Sequence, residues 1–371
     1  MTAEPVLRIF FIWAKFVDSG RMTMASELNE RERTVLHYVV RDFIETATPV
    51  GSRYISKRHE DILGLSSASI RNVMSDLEYL GYINHPHTSA GRVPTDMGYR
   101  FYLDALMHVD ALSRKEQDSI REALNSREAE DELLKESSRL IGKISRQLCV
   151  ISSPKLASGT LERLELVSLS GPRVLVVIAI KSGLVRTMML EVASEIAREK
   201  LEDIARVLNE RLAGLTIEEI RTSFAERLKD AAEDDTGLIR LFIDSVGKII
   251  PADSAARIHI AGAESILDQP EFENPAEFRS VIELINDEEI IIHVLAAHES
   301  PPPGVRVAVG EENKERKLAP YSVITTSYAA GDVTGTIGLI GPRRMNYARV
   351  IPLVDYVART ISEMFGTTGR Q

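Results

Sequence analysis

Between Asn29 and Thr48, apolar side chains fall at Val35, Leu36, Val39, Val40, Phe43 and Ile44, the spacing of one face of an α-helix. Asn29 is a fitting N-cap, and Glu30 and Glu32 stand in the first turn where the helix dipole favours acids. Thr48-Pro49 ends this helix, and Ser52 to Lys57 forms a short second one. After a turn at Gly64, Ser66 or Ser67 caps a third helix with Ile70, Val73, Met74, Leu77 and Leu80 on its apolar side; Gly81 stops it. Two short extended runs, Tyr82 to His85 and Arg92 to Thr95, flank a glycine-containing loop and predict a β-hairpin. Thr95 or Asp96 opens another helix reaching His108.

Further along, residues 112–150 carry helical periodicity with a seam at Leu133, Ser137, Leu140, Ile144 and Leu148 and a break at Asn125-Ser126. Leu161 to Leu169, Arg173 to Ile180 and Leu184 to Val192, separated by Ser170-Gly171-Pro172 and Ser182-Gly183, predict an antiparallel meander. Helical spacing returns over 195–250, through Ile196, Leu201, Ile204, Leu208 and Leu212 and later Phe224, Leu228, Leu238, Leu241, Phe242 and Val246. Strands are expected again at Arg257 to Ala261, Glu289 to Ala296, Val305 to Val309, Val323 to Ala329 and Gly335 to Ile340, with a closing helix from Tyr347 to Phe365. A helical block between two sets of strands predicts an insertion within an α/β domain. Pro301-Pro302-Pro303 forms a short rigid linker.

With 371 residues, the chain is long enough for two or three domains. Its single cysteine, Cys149, excludes an internal disulfide framework and suits a reducing, cytoplasmic setting; its apolar neighbours predict a buried thiol. The net charge of −10 excludes a global basic field, so any nucleic-acid contact is local. The apolar leader Val6 to Val17 contains Arg8 and Lys15 and is too short for a membrane span, which points to Met22 or Met24 as the functional start.

No catalytic or cofactor motif is present. Gly331, Gly335, Gly338 and Gly341 lack the lysine of a phosphate-binding loop, and the sequence holds neither a G-x-S-x-G nor an H-E-x-x-H. His85 and His87 are two apart, without a cysteine or carboxylate beside them. The acidic runs Glu233-Asp234-Asp235 and Asp287-Glu288-Glu289 read as solvated surface. The expectation is therefore a non-enzyme without cofactor or metal.

The positive signal is the order helix, helix, turn, helix, hairpin. In a helix-turn-helix the second helix of the motif enters the major groove. Opposite its apolar stripe, the third helix here carries Ala68, Arg71, Asn72, Ser75 and Tyr79, with Ser67 at its start. Arginine pairs with guanine, asparagine with adenine, and an alanine methyl meets a thymine methyl. Ser52, Arg53, Lys57 and Arg58 are phosphate donors around the second helix, and His87, Thr88, Ser89 and Arg92 suit a wing tip. Between Ser26 and His108 the count is nine basic and eleven acidic residues, but over residues 50–93 it is five basic and four acidic.

The run VGSRYISKRHEDILGLSSASIRNVMSDLEYLGYINHPHTSAGRVPTDMGYRFYLD resembles the winged-helix start of the HrcA family of heat-shock repressors. The segments Val309 to Asn313 and Gly335 to Tyr347 resemble the same family, with Arg343 where threonine is more usual. The resemblance covers about residues 27–366. It implies an α+β multidomain chain: a winged helix-turn-helix over 25–108, a helical connector over 109–150, and a GAF-like domain over 151–194 and 257–371. A dimerisation domain is inserted at 195–256, and residues 1–24 form the leader. The implied function is repression of chaperone operons by a homodimer on an inverted-repeat operator, CIRCE, with the GroEL chaperonin maintaining the active form. Two alternatives are a metabolite-gated regulator using the GAF-like domain as receptor, and a protein-interaction adaptor.

Overall fold

The computed structural model describes residues 28–86, 91–125, 129–154, 156–181, 183–192, 194–231, 239–240, 257–296 and 304–368. The leader, the two candidate start methionines, His87, Thr88 and Ser89 of the loop, and Leu238, Leu241, Phe242 and Val246 of the helical block lie outside the described residues, as does Pro301-Pro302-Pro303.

The N-terminal module begins with α1 (Glu30–Thr46). Asn29 caps it by accepting from the Arg31 and Glu32 amides, and the Glu32 carboxylate accepts from the Asn29 amide at 2.8 Å. This reciprocal box satisfies donors that the first turn leaves unpaired. Next come α2 (Ser52–Arg58), the one-turn α3 (Glu60–Leu63) and α4 (Ser67–Tyr79). The short α3 is an addition to the elements that the sequence predicts. A hairpin of β1 (Ile83–Asn84) and β2 (Val93–Pro94) follows, then α5 (Asp96–Phe101), which continues as a π-helical turn to Leu106. Thr95 ties α5 to the hairpin: its hydroxyl donates to the Gly81 carbonyl at 2.6 Å and accepts from the Gly98 amide. A Cβ added at Gly98 would lie 2.1 Å from the Tyr82 carbonyl oxygen. Gly98→Ala should therefore force backbone apart and lower stability by about 1–3 kcal/mol or more; an unchanged midpoint in chemical denaturation would show that this contact is slack.

Two helices, α6 (Arg114–Asn125) and α7 (Glu130–Ser145), lead into β3 (Leu148–Ser152). The helix expected to run through Val150 stops earlier, because Arg146 adopts a left-handed conformation (φ 56°) that closes α7 and turns the chain into a strand. Leu148 thus lies in the sheet rather than on a helical seam.

The meander forms as expected: β4 (Leu161–Ser168), β5 (Arg173–Ile180) and β6 (Val185–Glu191) pair antiparallel in that order. It stands apart as a sheet of its own. Its inner face, with Leu164, Val176 and Ile178, packs with Leu201, Ile204, Leu208 and Phe224 of α8 (Arg198–Leu212) and α9 (Ile217–Arg227) in one core. Asn209 of α8 covers the edge of β4, accepting from the Leu164 amide at 2.8 Å and donating to its carbonyl at 2.7 Å. The expected boundary at residue 195 consequently falls inside this packed unit.

The larger sheet has the order β7-β3-β10-β9-β8, antiparallel throughout, from β7 (Ile258–Ala261), β8 (Arg306–Val309), β9 (Tyr321–Ala330) and β10 (Val333–Pro342). The helices that follow β7 are α10 (Ala263–Leu267), α11 (Pro275–Asn286) and α12 (Glu288–Ala296); α13 (Tyr347–Thr368) is the last described element. The strand expected at Glu289 to Ala296 is helix α12. Its buried residues Ile290, Ile291, Val294 and Leu295 repeat with helical period while Ile292 is exposed, a pattern hidden in an apolar run broken only by His293. Successive residues of β3 face opposite layers: Cys149 and Ile151 join the core with α7 and α13, and Leu148 and Val150 join the cores under α11 and α12. Burial pushes the Cys149 thiol upward, as its packed position requires. Gly335 lies in β10 where a Cβ would meet the Tyr328 ring at 2.3 Å, so glycine here makes room for an aromatic side chain.

Candidate nucleic-acid interface

The N-terminal module is organised around α4. Ser66 caps it by accepting from the Ser69 amide at 3.1 Å, and Ile70, Met74 and Leu77 are buried against the rest of the module. That leaves Ala68, Arg71, Asn72, Ser75, Asp76 and Tyr79 on the exposed side. Tyr79 is 92% exposed, the highest value among the large apolar side chains described. The sequence places Tyr79 on this face without marking its hydroxyl as a contact group. The available signal is an aromatic side chain with Ser75 and Asp76, not apolar residues, at helical spacing before it in α4.

Position and orientation of α4 relative to α2 rest on specific contacts. The Ser52 and Ser67 hydroxyls, each on the first residue of its helix, are 3.3 Å apart, and Ser56 Oγ donates to the Leu65 carbonyl at 3.0 Å. Asp42 of α1 is fully buried and meets His59 Nε2 with both carboxylate oxygens, at 3.1 and 3.0 Å. Tyr38 stacks on the His59 ring with centroids 4.0 Å apart. This buried pair fixes the turn between α2 and α3, and with it the line of α2.

Among the donors expected on α2, Arg53 and Lys57 are exposed one helical turn apart on one face. Arg58 is committed elsewhere: its guanidinium is bonded to Glu45 and to the Tyr54 hydroxyl and lies 3.7 Å from Asp42. Arg92 is also engaged. Its Nε donates to Glu78 of α4 at 2.8 Å and its Nη1 to His85 Nδ1 at 2.7 Å. Its backbone pairs with Val50 in both directions, at 2.8 and 2.9 Å, so it braces the hairpin against the α1–α2 loop. The acid Glu78 is thereby neutralised, while Asp76 stays exposed on α4 and carries negative charge beside the cationic face.

The structure joins the starts of α2 and α4 at Ser52 and Ser67 and leaves Arg53 and Lys57 exposed on α2 and Ala68, Arg71, Asn72 and Ser75 exposed on α4. Arg92 is engaged in the brace with Glu78, His85 and Val50, and His87 and Ser89 lie outside the described residues. Chemically, the set offers two guanidinium groups (Arg53, Arg71), one ammonium (Lys57), one amide with donor and acceptor, and a methyl, while the Ser75 hydroxyl donates to the Arg71 carbonyl at 3.1 Å. Among the described residues, no group of three or more His, Cys, Asp and Glu could hold a metal ion, and no helix is long and apolar enough to cross a membrane.

Comparison with known proteins decides the family. Residues 131–351 match the HrcA protein C-terminal domain. The heat-inducible transcription repressor HrcA of Chlorobium phaeobacteroides (strain BS1) is 40% identical over 350 residues, covering 91% of this chain and 99% of that one. The chain belongs to the HrcA family. HrcA of Prosthecochloris aestuarii is likewise 40% identical over 350 residues, covering 91% of this chain and 98% of the relative. HrcA proteins carry the name of heat-inducible transcription repressors, and the family is one of repressors, not enzymes. A crystal structure described as a hypothetical protein shares 27% identity, covers 92% of this chain and 100% of its own, and superposes with a TM-score of 0.58. The HrcA match extends through the α4 module as well as the sheets.

Proposed function

We propose that residues 28–106 form a winged helix-turn-helix that binds the major groove of an inverted-repeat operator, and that the chain represses transcription as a homodimer in the cytoplasm. The observation that carries this reading is the exposed face of α4, where Ala68, Arg71, Asn72 and Ser75 project from a helix whose other side is buried. In this reading Arg71 pairs with a guanine and Asn72 with an adenine; Arg53, Lys57, Ser52 and the Tyr79 hydroxyl bind flanking phosphates. His87 and Ser89 remain proposed wing contacts, and Arg92 holds the wing at its angle to α4.

An inverted repeat calls for two-fold symmetry. We assign the dimer contact to the inserted unit built by β4–β6, α8 and α9. The outer face of its sheet supports this: Val167, Leu175 and Met189 form one row across three strands, and Ala179 with Val185 another. Val167, Val185 and Met189 are 42–57% exposed; Val177 links the two rows, with Glu165, Thr187 and Arg163 at the sides of this strip, and exposed apolar side chains grouped in this way suit an association surface. The five-stranded sheet with its helices is the proposed GAF-like domain. HrcA resemblance further implies the CIRCE operator and GroEL as the chaperonin that keeps the repressor active.

One titration tests this reading. Purified protein is added to a labelled CIRCE duplex and to a scrambled duplex at about 150 mM salt, with and without GroEL. Selective binding of the inverted repeat, with GroEL raising the fraction of active protein at unchanged intrinsic affinity, is the expected result. Equal binding of both duplexes would overturn the operator reading and favour the adaptor.

A further inference from the structure

The segment Val309 to Asn313 and the pair Arg343-Arg344 contact the N-terminal module at α5 and at the end of α1. Asp96, the first residue of α5, accepts from the Glu311 amide at 3.0 Å and pairs with Arg343 at 3.0 Å. The Asp96 carboxylate occupies the space that a Cβ on residue 310 would fill, and Gly310 stands there with φ 58°. One turn on, Arg100 donates through Nε to Glu312 at 2.7 Å and through Nη2 to the Val307 carbonyl at 2.7 Å, with a second bond from Nη2 to Glu312. Glu312 is itself held by the Val309 amide at 2.8 Å. Arg343 donates to the Ala319 carbonyl, and Arg344 spans from Glu271 to the Ile44 carbonyl at the end of α1.

Beneath these polar contacts a single buried cluster runs from the module into the large sheet, with Tyr99 edge-on to Tyr347 at 6.3 Å. Apolar burial is non-directional and docks the module without defining its angle. Hydrogen bonds and bidentate ion pairs are directional and do define it. The Glu311 amide bond to Asp96 and, one turn on, the bidentate Arg100–Glu312 pair with the Val307 carbonyl supply the directional contacts that set the rotation and tilt of α5, and Arg343 adds a charge pair to Asp96 without a hydrogen bond to it.

We infer that Asp96, Arg100, Glu312 and Arg343 form a charged clamp that sets the orientation of the DNA-reading module, so that they are positioning residues for recognition of two half-sites at one spacing. The inference rests on the reading of residues 28–106 as the DNA-binding module. In a dimer, the two α4 helices meet their half-sites together only if both modules hold one angle, and a looser clamp reduces the fraction of dimers in that geometry.

The test uses the full chain and the double variant Arg100→Ala/Arg343→Ala, with Arg343→Lys as the conservative control. Three duplexes are titrated: a single half-site, the inverted repeat at native spacing, and inverted repeats with the spacing changed by one or two base pairs. Independently of DNA, spin labels at Asp61→Cys and Lys314→Cys, diluted with unlabelled protein, report the distance between the module and the clamp segment. The double variant should bind the half-site like the unaltered protein, lose about tenfold on the inverted repeat at native spacing, discriminate less between spacings, and show a broadened label distance. Arg343→Lys should stay close to the unaltered protein in all readouts. A distance distribution as narrow as the original, or half-site and inverted-repeat affinities that fall together, would overturn the clamp. If the unaltered chain bound none of the duplexes, the DNA-binding reading would fall, and the label distances alone would decide the clamp.

Discussion

Arg71→Ala and Asn72→Ala should each weaken binding to the inverted repeat by about 1–3 kcal/mol, the scale of a bidentate base contact, and leave binding to scrambled DNA nearly unchanged. Both side chains are exposed on a helix held by Ile70, Met74 and Leu77. Neither truncation opens a cavity or orphans a buried partner, so unfolding free energies should stay within about 0.5 kcal/mol of the original. Lys57→Ala provides the contrast. A lost phosphate contact weakens all sequences alike and lowers the salt slope by about one. Competition titrations at several salt concentrations separate the two behaviours. If both Arg71→Ala and Asn72→Ala kept full sequence discrimination, another face of the module would be the reading surface.

Replacing Val167 and Met189 together by aspartate should abolish the proposed dimer and leave a monomer. The two residues flank Leu175 in one row on the outer face of the three-stranded sheet, at 42% and 54% exposure. Charges there leave the inner core of Val176, Ile178 and Leu208 intact but would be desolvated by a second copy. Loss of the second arm removes an intramolecular binding step, so affinity for the inverted repeat should fall by roughly 10²–10⁴-fold while half-site affinity stays. Sedimentation velocity and half-site titration check both statements. A dimer that survives the double substitution would move the contact to another surface of the chain.

Legibility from sequence varies with the kind of interaction involved. The N-terminal module is readable element by element, since local signals govern it: the Asn29 box, the Ser66 cap, the turn glycines and the apolar stripe of α4. The strands β4 to β6 are readable for the same reason, through alternation and turn residues. Their separation from the large sheet is not, because strand neighbours are chosen by tertiary packing and β4–β6 bury their inner face on α8 rather than on β3. Helix α12 reads as a strand in the sequence because its apolar run is broken only by His293, and its period shows only once burial is known. In the candidate site, the exposed face of α4 follows from helical geometry. The engagement of Arg58 and Arg92 does not follow, since their carboxylate partners Glu45 and Glu78 lie 13 and 14 positions away and come close only in the folded chain. Nor can the clamp on α5 be read, as its partners are more than 200 positions apart.

The most direct test of the account is guanine N7 methylation protection on the inverted-repeat duplex, because N7 is displayed only in the major groove. Symmetric protection of guanines in both arms is expected with the unaltered protein, and loss of that protection in both arms with Arg71→Ala under conditions where the protein remains bound. Binding with unprotected N7 positions, or protection unaffected by Arg71→Ala, would contradict the placement of α4 in the groove.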